Sequence, residues 1–243
     1  MVDYSKVLEK FGKNCFSRND LMLEIKQIKP DYNEENLKKS LSRLIKSGKL
    51  MRVAQGIYTL PESKKHIYSY ESMNPTAIEV RERIKRDYPL IDFVMFEMVQ
   101  LNEFLNHLIA KNTIFIETEK DIEMVLFERL KLDYHPVLFQ PKLEDYYLYR
   151  QADGIIIKSL PYKYPKSRLD KHGTSIEKLI VDLFANELIR NSISGGDYPE
   201  ALRDIFTKYQ INETKLFRYA IYRGVANELE AMLKREDIKL YTR

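Results

Sequence analysis

The sequence has no tryptophan and a single cysteine among its 243 residues, and these shortages exclude several kinds of protein. One cysteine cannot form an intramolecular disulfide, so a small secreted fold stapled by disulfides is excluded. We expect Cys15 to be a small core residue near a helix end. Because no cysteine cluster exists and the four histidines lack metal-ligand spacing, the sequence predicts no metal site, and we expect no cofactor.

Long apolar runs are missing as well. No run of about 18 or more apolar residues occurs, so we expect no transmembrane helix and no membrane partner. The first residues lack the basic-then-apolar order of a secretory signal, and we therefore expect a cytoplasmic protein. With 44% apolar and 31% charged residues, the chain has the composition of a globular protein with two small cores.

What the sequence does contain is an uneven distribution of charge. Residues 1–64 hold 13 Lys and Arg against 8 Asp and Glu, whereas the rest of the chain holds 27 basic and 28 acidic residues. The basic excess is therefore confined to the N-terminal part. This asymmetry indicates a polyanionic partner for that part only.

The N-terminal part shows the pattern of three short helices followed by a β-hairpin. The apolar spacing predicts helices at residues 3–10, 17–30 and 31–48. Ser17 and Asp20 have the spacing of a capping box at the start of the second helix. Two β-type runs then follow at residues 49–53 and 57–60, with Gly56 at the turn. This order is typical of a winged helix-turn-helix, and we assign residues 1–62 to such a DNA-binding domain.

The third predicted helix has leucines on one face and basic or polar residues on the other. We expect Asn36, Lys39, Ser40 and Arg43 to enter the major groove, where Arg recognises guanine and Asn recognises adenine. The full set of predicted DNA contacts is Asn36, Lys38, Lys39, Ser40, Arg43, Lys46, Lys49, Arg52 and Gln55. The alternatives are that these cations form an ordinary solvated face, or that the winged domain docks onto protein.

The second half of the sequence alternates between strand and helix patterns and ends in helices. We interpret residues 63–74 as a linker and residues 75–243 as an α/β domain with a helical C-terminal region, so the fold class is α/β (α+β). Strands are predicted at residues 92–95, 113–116, 136–139 and 154–158. Helices are predicted at residues 75–87, 100–109, 121–130, 175–190, 198–209, 213–223 and 224–234.

The hairpin ending Gly56-Ile57-Tyr58-Thr59-Leu60-Pro61 resembles the winged helix of the AbiEi-type antitoxins of abortive-infection AbiE toxin-antitoxin pairs. The segment 175–183, with its Glu-Lys-Leu-Ile-Val-Asp-Leu run, is similar to the α/β domain of the same family. The resemblance implies a non-enzymatic regulator with two roles. It would repress its own operon by binding operator DNA, and it would counteract a nucleotidyltransferase-like toxin, directly or indirectly, through the C-terminal domain.

Two groups of residues in the second domain are candidates for the antitoxin role. The first group, Glu177, Lys178 and Asp182, lies on the helix that carries the resemblance, where helix-start stabilisation and ion pairing to the sheet are the structural alternatives. The second group, Lys163, Lys166 and Arg168, belongs to a proline-rich segment that interleaves tyrosines with cations. Such a segment stacks bases and neutralises phosphates, or is simply a surface loop.

Two alternative functions remain open at the sequence level. A nuclease-like enzyme targeted by the winged helix would use acidic residues of the α/β domain, such as Glu117 and Asp153, with Lys158. The spacing does not match a Glu-x-Lys triplet, because Ile156 occupies the place of the glutamate before Lys158. The other alternative is a transcriptional regulator whose C-terminal domain binds a small molecule.

Overall fold

Three helices and a small antiparallel sheet make up the N-terminal part of the chain. The computed structural model describes residues 2–12, 14–61, 65–149 and 153–241. The first elements are α1 (Tyr4–Glu9), β1 (Phe16–Ser17), α2 (Arg18–Ile28), α3 (Glu34–Lys46), β2 (Met51–Ala54) and β3 (Ile57–Thr59). Strand β3 lies between β1 and β2 and pairs antiparallel with both. This is the architecture of a winged helix-turn-helix, with β2 and β3 as the wing.

Local signals in the sequence explain where these elements begin and turn. The predicted capping box is present, since the Ser17 side chain accepts from the backbone of Asp20 and the Asp20 carboxylate accepts from the backbone of Ser17. Gly56 turns the wing with φ of 71°, a conformation that costs glycine little. Leu21, Ile25 and Leu37 are fully buried where the three helices meet.

The second part of the chain is built on a mixed four-stranded sheet in the order β4-β5-β7-β6. The strands are β4 (Phe93–Glu97), β5 (Thr113–Thr118), β6 (Val137–Phe139) and β7 (Gly154–Ser159). The helices are α4 (Pro75–Asp87), α5 (Ile122–Leu130), α6 (Leu143–Tyr149), α7 (Ile176–Ala185), α8 (Glu187–Arg190), α9 (Asp197–Lys208), α10 (Glu213–Tyr222) and α11 (Ala226–Arg235). Strand β4 is antiparallel to β5, whereas β5, β7 and β6 are parallel. The protein is therefore an α+β fold, as the sequence predicts.

Helices cover both faces of this sheet. Helices α4 and α5 pack on the face that carries Ile114, Ile116 and Ile157. The C-terminal helices α7 to α11 pack on the other face, against Phe115 and Ile156. Burial on both faces explains why these strands read as nearly continuous apolar runs in the sequence.

The segment between the two parts of the chain packs against the C-terminal helices. The backbone of His66 donates to Lys208 O at 2.8 Å and accepts from Gln210 N at 2.9 Å. Tyr68 is buried, and its hydroxyl donates to Gln100 Oε1 at 3.2 Å. The predicted linker 63–74 therefore contains a fixed connection rather than a loose tether, although its Ser63 and Lys64 lie outside the described residues.

Two element predictions are wrong, and the sequence patterns give no sign of two further elements, β1 and α6. The helix predicted over 100–109 is only a 3₁₀ helix at Met98–Glu103, because the Asn102 side chain bonds both backbone groups of Ile109 and closes a loop instead. The single helix predicted over 175–190 is two helices, because the Asn186 side chain caps a new one by accepting from Leu188 N.

Two further expectations concern the burial of Cys15 and the presence of membrane-spanning helices. Cys15 is exposed, so the prediction that it is a core residue is wrong, and the core side chain at this point is the neighbouring Phe16. Among the described residues, no helix has the length and hydropathy needed to cross a membrane.

Candidate nucleic-acid interface

Helix α3 buries one face in the N-terminal core and presents the other to solvent. Leu37, Leu41 and Leu44 form the buried face. The predicted contact residues that the helix exposes are Asn36, Lys38, Lys39, Arg43 and Lys46. Asn33 starts the helix, since its Oδ1 accepts from Asn36 N at 2.9 Å. Thirteen helical residues give this exposed face a length of about 20 Å, enough to lie in a major groove.

Ser40 does not belong to the exposed face, and its prediction as a groove contact is wrong. It is buried, and its Oγ accepts from the Tyr4 hydroxyl at 2.6 Å and lies 2.9 Å from the Tyr32 hydroxyl. The three hydroxyls fix α3 against α1 and the turn before α3. Ser42, by contrast, is exposed.

Charge is distributed unevenly along α3. Its first turn holds Glu34 and Glu35, and the Glu35 carboxylate pairs with Lys39 at 2.7 Å. In the described part of the chain, no carboxylate pairs with Lys38, Arg43 or Lys46. Within the described residues, these three cations of the exposed face therefore lack counterions, which is the arrangement that attracts phosphates.

The wing continues this basic surface. Lys49, Arg52 and Gln55 are all exposed. On β2 the exposed Arg52 alternates with the buried Met51 and Val53, so the strand has a cationic face and an apolar one. The Arg52 guanidinium donates to Ala54 O at 3.2 Å, which orients it along the strand. These three side chains lie where a wing flanks the groove that a recognition helix enters.

A second charged group lies on α7, but it is buried. The Lys178 ammonium lies 2.5 Å from a carboxylate oxygen of Glu117 on β5 and 2.5 Å from one of Asp182. The other Asp182 oxygen accepts from Arg223 at 2.8 Å and from the Tyr219 hydroxyl at 3.2 Å. Burial alone would lower the pKa of Lys178, yet the carboxylates of Asp182 and Glu117 raise it above its ordinary value.

Glu177 is also buried and acts within the fold. Its Oε1 accepts from Asn212 N at 2.9 Å and lies 3.8 Å from the Arg168 guanidinium, so it ties the start of α10 to α7. Burial removes Glu177, Lys178 and Asp182 from the candidates for contact with a partner. The structural alternative, ion pairing of this helix to the sheet, is confirmed by the pair between Lys178 and Glu117.

The three predicted cations in the segment before α7 differ in exposure and in their partners. Lys163 is exposed, and its ammonium lies 5.8 Å from the centre of the exposed Tyr162 ring. Lys166 is also exposed, but it pairs with Asp92 at 3.0 Å. Arg168 is half-buried, and its guanidinium lies 3.5 Å from Gln210 Oε1. The three cations therefore point to different surroundings and do not form one surface.

The acidic residues considered for a nuclease lie at opposite ends of the sheet. Asp153 precedes β7 and accepts from Asn112 N at 2.7 Å. Glu117 and Lys158 are register partners near the other ends of β5 and β7, about 16.5 Å from Asp153 for five residues at the strand rise of 3.3 Å per residue. Within the described residues, no three His, Cys, Asp or Glu side chains lie close enough to share a metal ion.

A cleft of about 190 Å³ opens beside Asp153, between the start of α4 and the amino ends of the parallel strands. It is lined by Asn74, Tyr134, His135 and Asp153 among others. Pockets that bury a drug-sized ligand begin at roughly 300 Å³. A regulator that binds a small molecule could use this cleft, but only for a ligand smaller than drug size.

The sequence patterns missed the residues that join the two parts of the chain. Gln210 donates through Nε2 to Gly48 O at 3.3 Å and to Lys65 O at 3.2 Å, and helix α10 packs against β2. These partners are more than 140 positions apart in sequence. A periodicity search examines neighbouring residues, so no local signal marks them.

Comparisons with known proteins identify a family but no activity. No curated protein matches the chain. A similar solved structure is that of the RV2827C protein from Mycobacterium tuberculosis, which is 14% identical, with 95% of this chain and 80% of that chain covered and a TM-score of 0.32. The model of a family described as a family of unknown function, DUF6577, matches residues 36–239. Since this match spans most of the sequence, the chain belongs to the DUF6577 family.

Proposed function

We propose that the protein is a cytoplasmic DNA-binding transcriptional regulator that acts by binding and not by catalysis. The observation that supports this proposal best is the exposed face of α3, where Lys38, Arg43 and Lys46 have no carboxylate partner among the described residues. Like charges on one helix face repel one another, and a polyanion relieves that repulsion. The helix stands beside a basic wing, which is the geometry that places a recognition helix in the major groove.

Within this proposal the exposed residues divide by chemistry. Arg43 and Asn36 carry the planar groups that read guanine and adenine edges. Lys38, Lys39, Lys46 and Lys49 are point charges suited to phosphates, and Arg52 and Gln55 flank them on the wing. Ser40 has no part in the contact, because the Tyr4 and Tyr32 hydroxyls already occupy it.

The test is retardation of a duplex that spans the protein's own promoter. We expect Arg43→Ala together with Lys46→Ala to abolish the retardation, because one groove contact and one phosphate contact are lost. The matched control is Lys26→Ala together with Lys29→Ala, which removes the same charge from an exposed position of α2 and from the exposed residue that follows it. Equal retardation by the wild type and the α3 variant would refute the proposal.

We also propose that the regulator is the antitoxin of a toxin-antitoxin pair. The support is the resemblance of the hairpin ending Gly56–Pro61 and of the segment 175–183 to the AbiE-type antitoxins. In that role the winged helix would repress the operon, and residues 75–243 would counteract a nucleotidyltransferase-like toxin. The burial of α7 means that the antitoxin surface has to lie elsewhere on the C-terminal region.

Co-expression separates these two roles without cutting the chain. A nucleotidyltransferase-like gene next to this one would be induced together with the full-length protein, supplied from a foreign promoter. We expect growth to be rescued equally by the wild type and by the variant with Arg43→Ala and Lys46→Ala, since neutralisation would not need DNA binding. Absence of rescue by both proteins would refute the antitoxin role and leave the DNA-binding proposal untouched.

A further inference from the structure

Four cations gather where the wing meets the C-terminal helices. Helix α10 packs against β2, so Lys215 and Arg218 of α10 come close to the exposed Arg52 of β2. Lys215 and Arg218 are three residues apart and therefore lie on one side of the helix. Arg168 reaches the same place beside Gln210, which bonds to Gly48 O of the winged helix. We call Arg52, Arg168, Lys215 and Arg218 the junction cluster.

The junction cluster has more positive charges than there are carboxylates near it to neutralise them. In the part of the chain that the structure describes, no carboxylate lies within ion-pair distance of Arg52, Lys215 or Arg218. Two buried carboxylates lie nearby: Glu177, which accepts from Asn212 N and lies 3.8 Å from Arg168, and Glu213, in the first turn of α10, which accepts from Tyr241 N. Among the described residues, the four cations of the junction cluster therefore outnumber these two acidic groups, and both acidic groups accept backbone hydrogen bonds.

Lys215 is the residue of the cluster whose pKa responds to burial and to the neighbouring positive charges. The side chain is half-buried, and burial lowers its pKa below the ordinary value of a lysine. Glu177 opposes the shift, while Arg168, Arg218 and Arg52 add to it. An anion near Lys215 would offset the repulsion from these arginines, and a phosphate oxygen accepts from both ammonium and guanidinium donors.

We propose that the junction cluster is a phosphate-binding site shared between the winged helix and the C-terminal region. Its ligand is either a backbone phosphate of DNA or a free phosphate or pyrophosphate group. With DNA as the source, the inference rests on the proposed DNA binding, and the second domain then contributes to the contact. The site would also link the domains, since one phosphate would bridge β2 and α10.

The first arm of the test measures how the affinity of the full-length protein for duplex DNA depends on salt. Lys215→Met with Arg218→Gln removes two phosphate contacts, so we expect the slope of log K against log salt to fall by about 1.8. The affinity loss between 50 and 200 mM salt then becomes about tenfold smaller, equally for promoter and random duplexes. The control, Arg129→Gln with Lys131→Met, removes the same charge from the region of α5, on the opposite face of the sheet.

The second arm omits DNA and follows the melting temperature as pyrophosphate is added at constant ionic strength. A rise in the wild type that is absent from the junction variant identifies a free phosphate group as ligand. A change of salt slope without this rise identifies the DNA backbone. If neither differs between wild type and junction variant, the phosphate site is refuted. If Arg43→Ala with Lys46→Ala leaves retardation unchanged, the DNA proposal fails, and the pyrophosphate arm alone then decides the site.

Discussion

Helices α3 and α7 carry similar charged side chains in opposite settings. The cations of α3 face solvent, and Lys39 alone pairs with a carboxylate of the residues that the structure describes. On α7, Glu177, Lys178 and Asp182 are buried, and each is held by an ion pair or a backbone hydrogen bond. A buried charge costs so much desolvation that it persists only with partners, whereas an exposed cation without a partner remains free for another molecule.

Charge on a helix therefore indicates a function only once the burial of the charged side chains is known. The sequence offered both helices as candidate sites, since each combines apolar spacing with Lys, Asp or Glu. In the structure α7 holds the sheet through the pair between Lys178 and Glu117, and α3 offers a free basic face. We therefore expect substitutions on α7 to change stability and those on α3 to change DNA binding.

The largest effect is expected from Lys178→Met. The variant leaves the Glu117 carboxylate buried without its closest cation, and we expect it to lower the free energy of unfolding by roughly 3 to 5 kcal/mol. Lys38→Met on the exposed face of α3 is the matched control, with a change within about 0.5 kcal/mol. Urea unfolding followed by circular dichroism measures both.

A double variant tests whether the stability loss of Lys178→Met comes from the unpaired Glu117 carboxylate. Adding Glu117→Gln to Lys178→Met removes the uncompensated charge, so part of the lost stability should return. If Lys178→Met unfolds at the same urea concentration as the wild type, the α7 cluster does not stabilise the sheet. The contrast between the two helices would then be lost.

A smaller effect is expected from Ser40→Ala within α3 itself. Removal of Oγ takes one hydrogen-bond partner from each of the Tyr4 and Tyr32 hydroxyls, which should lower the free energy of unfolding by about 1 to 2 kcal/mol. At a temperature where the variant is fully folded, its affinity for DNA should equal that of the wild type. Loss of affinity without loss of stability would restore Ser40 to the DNA-contacting face.

Much of the secondary structure was predictable because its causes are local. The Ser17 and Asp20 capping box, the leucine spacing of α3 and the apolar runs of the sheet all act over a few residues. The helix predicted over 100–109 failed because the Asn102 side chain competes for the backbone of Ile109. That competition cannot be read from apolar spacing.

The candidate site was predictable only in part. At about 100° per residue, Ser40 lies about 60° from Leu37 and about 40° from Leu44 around the helix, so its burial was already implied by the leucine pattern. The position of Lys215 beside Arg52 was not implied by anything local. It depends on α10 packing against β2, which joins positions more than 160 residues apart.

The smallest expected effect is a dependence of stability on pH that arises in the second part of the chain. The His172 ring stacks on Phe93 at 4.1 Å, and its Nδ1 lies 3.1 Å from Phe93 O. Burial lowers the pKa of His172 below 6.5, the backbone oxygen of Phe93 opposes this shift, and the nearby Lys171 and Arg81 add to it. The folded protein therefore favours the neutral ring, and the unfolded chain takes up the proton first as the pH falls.

This stabilisation is complete above about pH 6.5 and is lost as the pH falls toward the lower pKa of the folded state. We expect His172→Gln, which keeps a donor for Phe93 O, to lose less stability than the wild type between about pH 7.5 and about pH 5.5. Urea unfolding at the two pH values measures the difference. Equal losses in both proteins would remove His172 as a source of the acid sensitivity, whereas a smaller loss in the variant would place that sensitivity where His172 packs on Phe93, in the second part of the chain.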